Sequence, residues 1–405
     1  MPGPKKKKGR ITVGRQIPGR NGTTIPTDPS EWGNFQSTAF VFSGGSSLGA
    51  FEAGAAKFLI TENNVKPNII CGTSTGGLNS FKLAEGPGAI TELENIWRND
   101  LMGFRSVGAP KQWLLSLITS GMELGANLDD WNEQLQLALT PFFGSLSFID
   151  FFTNLSDAND LVNSLKAGLN DSSLFDNNAL KALIRSKVDI QKIQAFVQAR
   201  KILRISQPQF PKIHLRISSV DLRSGKLGYL TESFSYVDEN ENVVAAQVDP
   251  FAAVLASASI PMVFPPVSLA GMNLVDGGVR ENLPVKKAIE LGAKKVHVFM
   301  VNSPEPSPDP TMETKTLSIA LRTMDIMLHE ITNSDVAIGK LMGATVAVYA
   351  PRVKLHNSLW FDKGLSAIAM DYGFMVAADQ NTFEATDTTR IAQAQKLADE
   401  ITQLR

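Results

Sequence analysis

The chain has 405 residues, of which 43% are hydrophobic and 20% are charged, and its formal net charge is −1. This composition is typical of a globular protein with a large core, built as one domain or as two. The single cysteine, Cys71, excludes a disulfide within the chain and fits a reducing compartment, so we expect a cytoplasmic protein.

The first 36 residues are rich in Gly, Pro, Lys and Thr and show no periodicity. Seven basic residues precede the first acidic residue, Asp28, and without them the net charge would change from −1 to −8. Residues 1–36 therefore predict a flexible basic tail on an acidic body. Such a tail is either merely solvated or binds an anionic membrane surface, a nucleic acid or a sorting receptor. The acidic body argues against nucleic acid.

Neither a secretory signal nor a membrane span is expected. No apolar run follows the N-terminal basic residues, as a signal peptide requires. The most apolar window, residues 251–271, is interrupted by Pro261, Pro265 and Pro266. It therefore falls short of the ~18–20 uninterrupted apolar residues of a membrane span. We interpret it as a helix, a turn and a buried strand.

After the tail, strand and helix patterns alternate. Residues 37–45 predict a buried strand and residues 49–61 a helix, and the same pair follows at 68–72 and 74–84. A βαβα pattern indicates a largely parallel sheet with helices on its faces, which is an α/β fold.

The remaining chain predicts an insertion followed by a return to the sheet. Residues 88–170 are mainly helical in pattern and predict a helical insertion over the sheet, with apolar stretches at 113–118 and 141–152. Beyond it we expect strands at 212–222, 226–234, 297–302 and 344–350, helices at 250–258, 316–331, 365–378 and 388–404, and an extended proline-rich loop at 303–310.

The segment Gly72-Thr73-Ser74-Thr75-Gly76 fits the pattern G-x-S-x-G. It lies between a predicted strand and a predicted helix, where a sharp turn would lift the serine hydroxyl out of the sheet as a nucleophile. The helix N-terminus would also favour an oxyanion formed there. The alternative is a structural one, because serine and threonine are common N-caps.

A second glycine-rich junction, Gly44-Gly45-Ser46-Ser47-Leu48-Gly49, has the same position between strand and helix. Glycine permits a close backbone approach with N–H groups directed at a ligand, as an oxyanion hole requires. A nucleotide phosphate is a rival ligand, although neither a G-x-G-x-x-G nor a P-loop pattern fits. A tight turn without a ligand is the structural alternative.

A nucleophilic serine needs a base, and the four histidines are poorly placed for that role. His214 and His297 lie in apolar strand patterns, His329 in a helical stretch and His356 in a polar loop. The better candidate is Asp276 in LVDGGVRENLP, where two glycines turn the chain away after an apolar strand. The alternative is an aspartate that only caps its own turn.

Four segments together resemble the patatin-like phospholipase family: SGGSSLG, GTSTG, LASASIPMVFPPV and the following VDGG, all within residues 40–280. The resemblance implies a three-layer α/β/α fold with a central, mostly parallel sheet modified from the α/β-hydrolase plan. It also implies a Ser-Asp dyad in which Ser74 is the nucleophile and Asp276 the base. The amides of Gly44, Gly45 and Ser46 would form the oxyanion hole, with Gly72 and Gly76 shaping the elbow. No metal or organic cofactor is implied.

The glycine-rich segment departs from the usual family pattern G-G-G-x-R-G in two places. Ser46 replaces a glycine, and Leu48 replaces the arginine. The loop amides remain, so an oxyanion hole is still expected. The missing arginine raises the question of how the loop is anchored and how a charged head group would be contacted.

The resemblance implies a lipid acyl hydrolase of the phospholipase A type, acting through an acyl-enzyme on a phospholipid or other lipid ester at a membrane surface. Alternatives are a lysolipid, thioester or acylglycerol substrate on the same dyad, or a catalytically silent lipid-binding protein. We expect a catalytic domain at 37–310, in which the 88–170 insertion or lid either contacts the acyl chain or packs as core. Residues 311–405 would form a C-terminal strand and helices packed on that domain.

Overall fold

The computed structural model describes residues 17–18, 24–25, 37–112, 167, 170–303, 316–381 and 396–401, except positions 87, 102, 168, 169, 354, 357, 359 and 398. The apolar stretches at 113–118 and 141–152, almost all of the loop at 303–310 and most of the helix expected at 388–404 lie outside these residues.

A mixed sheet of ten strands, counted over the described residues, forms the centre of the fold. Two pairs of two-residue strands lie apart from it. In chain order the strands are β1 Ile17–Pro18, β2 Thr24–Ile25, β3 Thr38–Phe42, β4 Ile69–Gly72, β5 Ala109–Pro110, β6 Phe175–Asp176, β7 His214–Asp221, β8 Leu227–Thr231, β9 Tyr236–Asp238, β10 Val243–Ala245, β11 Val267–Leu269, β12 Met272–Asp276, β13 Lys295–Phe299 and β14 Thr345–Tyr349.

One half of the sheet is parallel and contains the strands predicted first from the sequence. Strands β7, β4, β3, β13 and β14 are neighbours in that order and all run in the same direction. Strands β8 to β10 continue the sheet beyond β7 in antiparallel fashion. Strands β11 and β12 form an antiparallel hairpin, and β12 pairs with the end of β7 on the edge opposite β8. The predicted α/β fold is therefore confirmed, with a sheet that is mixed.

Helices cover both faces of the sheet. Within β3, Phe40 and Phe42 belong to one apolar cluster, and Ala39 and Val41 belong to another. Because successive strand residues point to opposite faces, the protein has three layers. The helices are α1 Gly49–Thr61, α2 Thr75–Leu83, α3 Ala89–Asn95, α4 Asn178–Lys187, α5 Ile190–Ser206, α6 Pro250–Ser257, α7 Val285–Glu290, α8 Thr316–Leu341 and α9 Lys363–Asn381.

Strand β7 changes its neighbour along one edge, and this change positions the site. Its first half pairs with β4 and its last three residues pair with β12, while β8 occupies the opposite edge. Gly72 at the end of β4 pairs with Ile217, and Asp276 at the end of β12 pairs with Ser219. The C-terminal ends of β4 and β12 therefore lie about 7 Å apart along β7, at ~3.3 Å per residue.

The C-terminal part of the chain packs closely on the first helix. A Cβ on Gly54 of α1 would lie 1.8 Å from the carbonyl oxygen of Met370, and one on Gly373 of α9 would lie 1.9 Å from that of Phe51. Both glycines are therefore needed for the close approach of α1 and α9. Strand β14 also extends the parallel half of the sheet at its edge.

Several elements differ from the sequence predictions. Helix α8 runs to Leu341 rather than ending at residue 331, and helices α4, α5 and α7 and strands β9 and β10 were not predicted. The helix and the strand expected in the window 251–271 are present as α6 and β11, but the expected burial of the strand is wrong, because β11 lies in an edge hairpin where Ser268 is exposed. None of the helices in the described residues combines the length and apolar character that a bilayer span requires.

Candidate active site

Ser74 lies at the sharp turn between β4 and α2. Its backbone has φ 55° and ψ −125°, a strained conformation that costs on the order of 1–3 kcal/mol. Although Ser74 is the N-cap residue of α2, its side chain makes no capping hydrogen bond. The amide of Ser74 donates to Ser257 Oγ at 2.9 Å. This conformation is that of a nucleophile elbow.

Both glycines of the elbow are required by close backbone packing. A Cβ on Gly72 would lie 2.3 Å from the carbonyl oxygen of Gly76, and a Cβ on Gly76 would lie 2.5 Å from those of Phe42 and Ser43. Real Cβ atoms do not approach so closely, so the turn can be this tight only with glycine at both positions.

The Ser74 hydroxyl lies close enough to the Asp276 carboxylate to lower its pKa. The amide of Gly278 donates to Asp276 Oδ1 at 2.8 Å, so the aspartate caps its own turn. Ser74 and Asp276 are each only 5% exposed. Burial raises the pKa of Asp276 to about 7, against the opposing effects of Ser74 and the Gly278 amide.

The glycine-rich loop lies against the elbow. A Cβ on Gly44 would lie 3.0 Å from Ser74 Cβ. The amide of Gly44 is already occupied, because it donates to Asn282 Oδ1 at 3.1 Å. Within the described residues, no hydrogen bond occupies the amides of Gly45 and Ser46, which are half-buried. Of the three predicted oxyanion donors, the structure therefore leaves two available.

An apolar cavity opens at Ser74. It follows α2, because Ser74, Leu78 and Lys82 all line it and residues four apart lie on one face of a helix. Apart from the elbow, its described lining is mainly aliphatic and aromatic, and it includes Leu78, Phe81, Leu93, Ile96, Trp97, Leu101, Leu180, Leu183, Ile184, Ile260, Phe264 and Phe361.

The polar residues in the cavity wall are tied to other groups. The ammonium of Lys82 donates to Glu85 Oε1, to Glu92 and to the carbonyl oxygen of Lys187. Its three donors are therefore satisfied, and the cavity presents an apolar interior to a ligand. Among the described residues, no group of three or more His, Cys, Asp or Glu side chains could hold a metal ion.

The sequence model described as Patatin-like phospholipase matches residues 40–289, which is more than half of the chain and includes both Ser74 and Asp276. The chain belongs to the patatin-like phospholipase family. The family resemblance drawn from four short segments is thereby confirmed, and the general activity it supports is hydrolysis of lipid esters. A comparison of the sequence with curated proteins gives no match.

Solved structures similar to this patatin-like protein share little sequence with it. VipD from Legionella pneumophila is 12% identical, with a TM-score of 0.35 over 92% of this chain and 75% of VipD. Human GIVD cytosolic phospholipase A2, in complex with methyl gamma-linolenyl fluorophosphonate, is 11% identical, with a TM-score of 0.32 over 94% of this chain and 61% of that one.

A third similar structure is the heterodimeric ExoU–SpcU complex from the type III secretion system of Pseudomonas aeruginosa. It is 14% identical to this chain, with a TM-score of 0.25 over 90% of this chain and 66% of that one. The chain thus spans less than two thirds of the length of the latter two structures.

In this patatin-like protein, the two departures in the glycine-rich loop have structural consequences. Ser46 has φ 54°, the left-handed region that favours glycine, so the serine stands in a backbone conformation that glycine would adopt with less strain. Leu48 is 5% exposed and packs inward as an apolar side chain. An arginine is therefore not what holds this loop.

The described anchors of the loop come from residues that the sequence analysis did not identify. Ser43 donates through its amide and its hydroxyl to the buried carboxylate of Glu52, at 2.7 and 3.0 Å. Asn79 donates to the other oxygen of that carboxylate at 3.1 Å. Thr75 Oγ1 donates to the carbonyl oxygen of Ser46 at 2.8 Å. Burial raises the pKa of Glu52 well above its usual value.

The histidines of the patatin-like protein do not contact Ser74 in the described structure. His297 is buried in the sheet, where it stacks on Tyr349, and burial lowers its pKa to about 3. His356 lies nearer the site than its polar loop indicated, because its Nε2 is 3.1 Å from Ser47 Oγ in the glycine-rich loop. It contacts the loop rather than the serine of the elbow.

Proposed function

We propose that this protein is a lipid acyl hydrolase of the phospholipase A type, with Ser74 as nucleophile and Asp276 as general base. The observation that carries the proposal is the placement of the Ser74 hydroxyl beside the buried Asp276 carboxylate at the mouth of an apolar cavity. A nucleophile next to a base beside a pocket is the arrangement that covalent acyl transfer needs.

In the first half-reaction, Ser74 Oγ attacks the ester carbonyl carbon and its proton moves to Asp276. The oxyanion that forms would accept hydrogen bonds from the amides of Gly45 and Ser46. The carbon–oxygen bond to the leaving alcohol then breaks, and Asp276 returns the proton to the alkoxide. An acyl ester on Ser74 remains.

In the second half-reaction, water attacks the acyl ester and gives a proton to Asp276. The bond from the carbonyl carbon to Ser74 Oγ breaks, the fatty acid leaves and the serine recovers its proton. The same carboxylate therefore acts as base and as acid in turn.

The environment of Asp276 supports this role. An ordinary aspartate, with a pKa near ~3.9, is too weak a base to deprotonate serine well at neutral pH. Burial raises the pKa of Asp276 to about 7, which is close to the value that favours general-base catalysis near neutral pH. The helix dipole at the N-terminus of α2 adds stabilisation of the oxyanion.

The apolar cavity is the proposed binding site for the acyl chain. Leu183 lines it and is only half-buried, so a larger side chain there would fill the cavity without displacing a packed core. Leu183→Trp should lower kcat/KM for long-chain esters by about tenfold or more, and leave short-chain esters nearly unchanged, since apolar contacts in a pocket are worth ~1–3 kcal/mol per group. Steady-state kinetics on a series of p-nitrophenyl esters checks this.

The control for that variant is Leu222→Trp, at an exposed leucine outside the cavity. It should leave the chain-length profile unchanged. If Leu183→Trp gives the wild-type profile for all chain lengths, the acyl chain does not bind in this cavity.

The finer description of the protein follows from the same proposal. We place the catalytic domain at residues 37–310, with residues 311–405 packed on it and the 88–170 segment as its insertion or lid. The enzyme would act in the cytoplasm on a phospholipid or other lipid ester. It would contact the membrane that contains this lipid only peripherally. Sedimentation with vesicles tests that contact, which would be refuted by recovery of all the protein in the supernatant.

The function itself is tested by mass spectrometry of the products formed from a mixed lipid extract. The wild-type protein should release free fatty acids and the matching lysolipids. Ser74→Ala should release neither. Fatty-acid release that is equal in both proteins would overturn the proposal, and so would an extract left unchanged by the wild type.

A further inference from the structure

The glycine-rich loop is held by an asparagine on the segment that follows Asp276. Asn282 Oδ1 accepts a hydrogen bond from the amide of Gly44 at 3.1 Å, and Asn282 Nδ2 donates to the carbonyl oxygen of Gly44 at 3.4 Å. The Asn282 side chain thus contacts both polar groups of one loop residue. It is 4% exposed, so these contacts are shielded from water.

The same side chain is fixed from the other side by α8. Asn282 Nδ2 donates to Thr332 Oγ1 at 2.7 Å, and Thr332 Oγ1 donates in turn to the carbonyl oxygen of Leu328. Thr332 is 5% exposed. Its hydroxyl therefore accepts from the asparagine while it is oriented by its own helix.

Helix α8 also holds the backbone on which Asn282 is carried. Asp335, one turn after Thr332, accepts a hydrogen bond from the amide of Leu283 at 2.9 Å. The Asn282 side chain and the backbone of the next residue are thus both attached to α8. This helix begins at Thr316, beyond the residues 40–289 that match the family model.

We propose that Asn282 and Thr332 are positioning residues that set the oxyanion loop, so that α8 determines the catalytic competence of the site. The inference rests on the proposed function. Since the Gly44 amide is bonded to Asn282, the next two amides, of Gly45 and Ser46, are the donors whose direction depends on this attachment. Oxyanion stabilisation requires such donors ~2.7–3.1 Å from the oxyanion, and a small displacement lowers the rate strongly.

The chemistry of the contact requires an amide side chain at position 282. The Gly44 amide donates to Asn282 Oδ1 and also to the backbone carbonyl oxygen of Asn282 at 3.3 Å, whereas the Gly44 carbonyl oxygen and Thr332 Oγ1 need a donor. A carboxylate would supply only acceptors and an aliphatic side chain neither. An unsatisfied buried partner would then favour another loop conformation.

The test compares Thr332→Val with Thr332→Ser. Valine keeps the shape but removes the hydroxyl, and serine restores the hydroxyl. With a short-chain p-nitrophenyl ester, Thr332→Val should lower kcat about tenfold and change KM less than twofold, and Thr332→Ser should recover most of kcat. Ser334→Ala, at an exposed hydroxyl of the same helix, should match the wild type in both parameters.

Amide hydrogen exchange of residues 43–48 gives a second readout that does not depend on catalysis. Exchange should be faster in Thr332→Val than in the wild type and should return to the wild-type rate in Thr332→Ser. If Thr332→Val unfolds, Asn282→Asp, which keeps the acceptor for the Gly44 amide, should show the same faster exchange and lower kcat.

The outcomes separate this inference from the proposed function. Faster loop exchange in a protein whose wild type hydrolyses no ester would retain the attachment to α8 and reject the function. Wild-type kcat and wild-type loop exchange in folded Thr332→Val would overturn the inference and leave the function standing. So would a loss of kcat that Thr332→Ser fails to reverse.

Discussion

Ser74→Ala should reduce ester hydrolysis by roughly 10⁴- to 10⁶-fold, because removal of the nucleophile from a serine hydrolase abolishes covalent catalysis. The glycine-rich loop and the apolar cavity remain in the variant, so substrate binding should change little. Since alanine must adopt the same positive φ as Ser74, the fold gains no relief from backbone strain and its melting temperature should stay close to that of the wild type.

The measurement for Ser74→Ala is the initial rate with p-nitrophenyl esters, together with vesicle or substrate-analogue binding. The exposed Ser268→Ala is the matched control and should retain the wild-type rate. A Ser74→Ala protein that keeps more than a tenth of the wild-type rate would refute the assignment of the nucleophile.

Asp276→Asn should lower kcat by about 10³–10⁴-fold, since a positioned general base contributes up to about that factor. The asparagine side chain keeps an acceptor for the Gly278 amide, which donates to Asp276 at 2.8 Å, so the turn is preserved.

In the wild type, kcat/KM should rise about tenfold per pH unit below pH 7 and then level off, because burial raises the pKa of Asp276 to about 7 and only the ionised form accepts the serine proton.

A profile of kcat/KM from pH 4 to pH 9 measures this rise, which is the acid limb of the profile. Glu281 is a useful control, because burial raises its pKa to about 7 as well and it bonds to Tyr229 rather than to Ser74. Glu281→Gln should leave the acid limb near pH 7. An acid limb centred near pH 4 in the wild type, or one that disappears in Glu281→Gln, would contradict the role of Asp276.

Asp276→Asn should also stabilise the protein, with a pH dependence that follows from the raised pKa of Asp276. Above pH 7 the wild type buries an ionised carboxylate, whereas below the unfolded-state pKa near ~3.9 the group is neutral in both states. The gain in the free energy of unfolding from Asp276→Asn should thus be on the order of 3 kcal/mol above pH 7, shrink as the pH falls from 7 to 4, and vanish below pH 4. Urea unfolding at pH 8 and pH 4 measures it.

The sequence predicted those parts of the site whose signal is local. Ser74 and Asp276 each follow an apolar strand and precede small residues, so each reads as a strand-end turn without knowledge of the rest of the fold. That the two meet depends on the pairing of β4 and β12 along one edge of β7. No local pattern encodes this pairing, and the family resemblance supplied it.

The residues that hold the glycine-rich loop carried no such signal. Glu52 reads as an ordinary acidic residue in the first turn of a helix, yet it is fully buried and accepts from Ser43. Asn282 and Thr332 are 50 positions apart, and each becomes informative only when α8 is placed beside the site. The loop was predicted as a source of amides, but its attachment is tertiary.

Helix α8 continues to Leu341, beyond its predicted end at residue 331. Gly339 lies in this unpredicted part of the helix, where a Cβ would come 2.3 Å from Val285 Cγ1. The glycine therefore serves the close approach of α8 to α7. Helices α4 and α5 had usable signals that the sequence analysis missed, including Asp189, whose side chain caps α5.

The most direct test of the central claim is peptide mass spectrometry after reaction with an alkyl fluorophosphonate, which phosphonylates an activated serine. The account predicts one adduct, on the peptide that contains Ser74, formed slowly or not at all in Asp276→Asn. An active protein that carries no adduct on Ser74, or is labelled at the same rate when Asp276 is replaced, would contradict it.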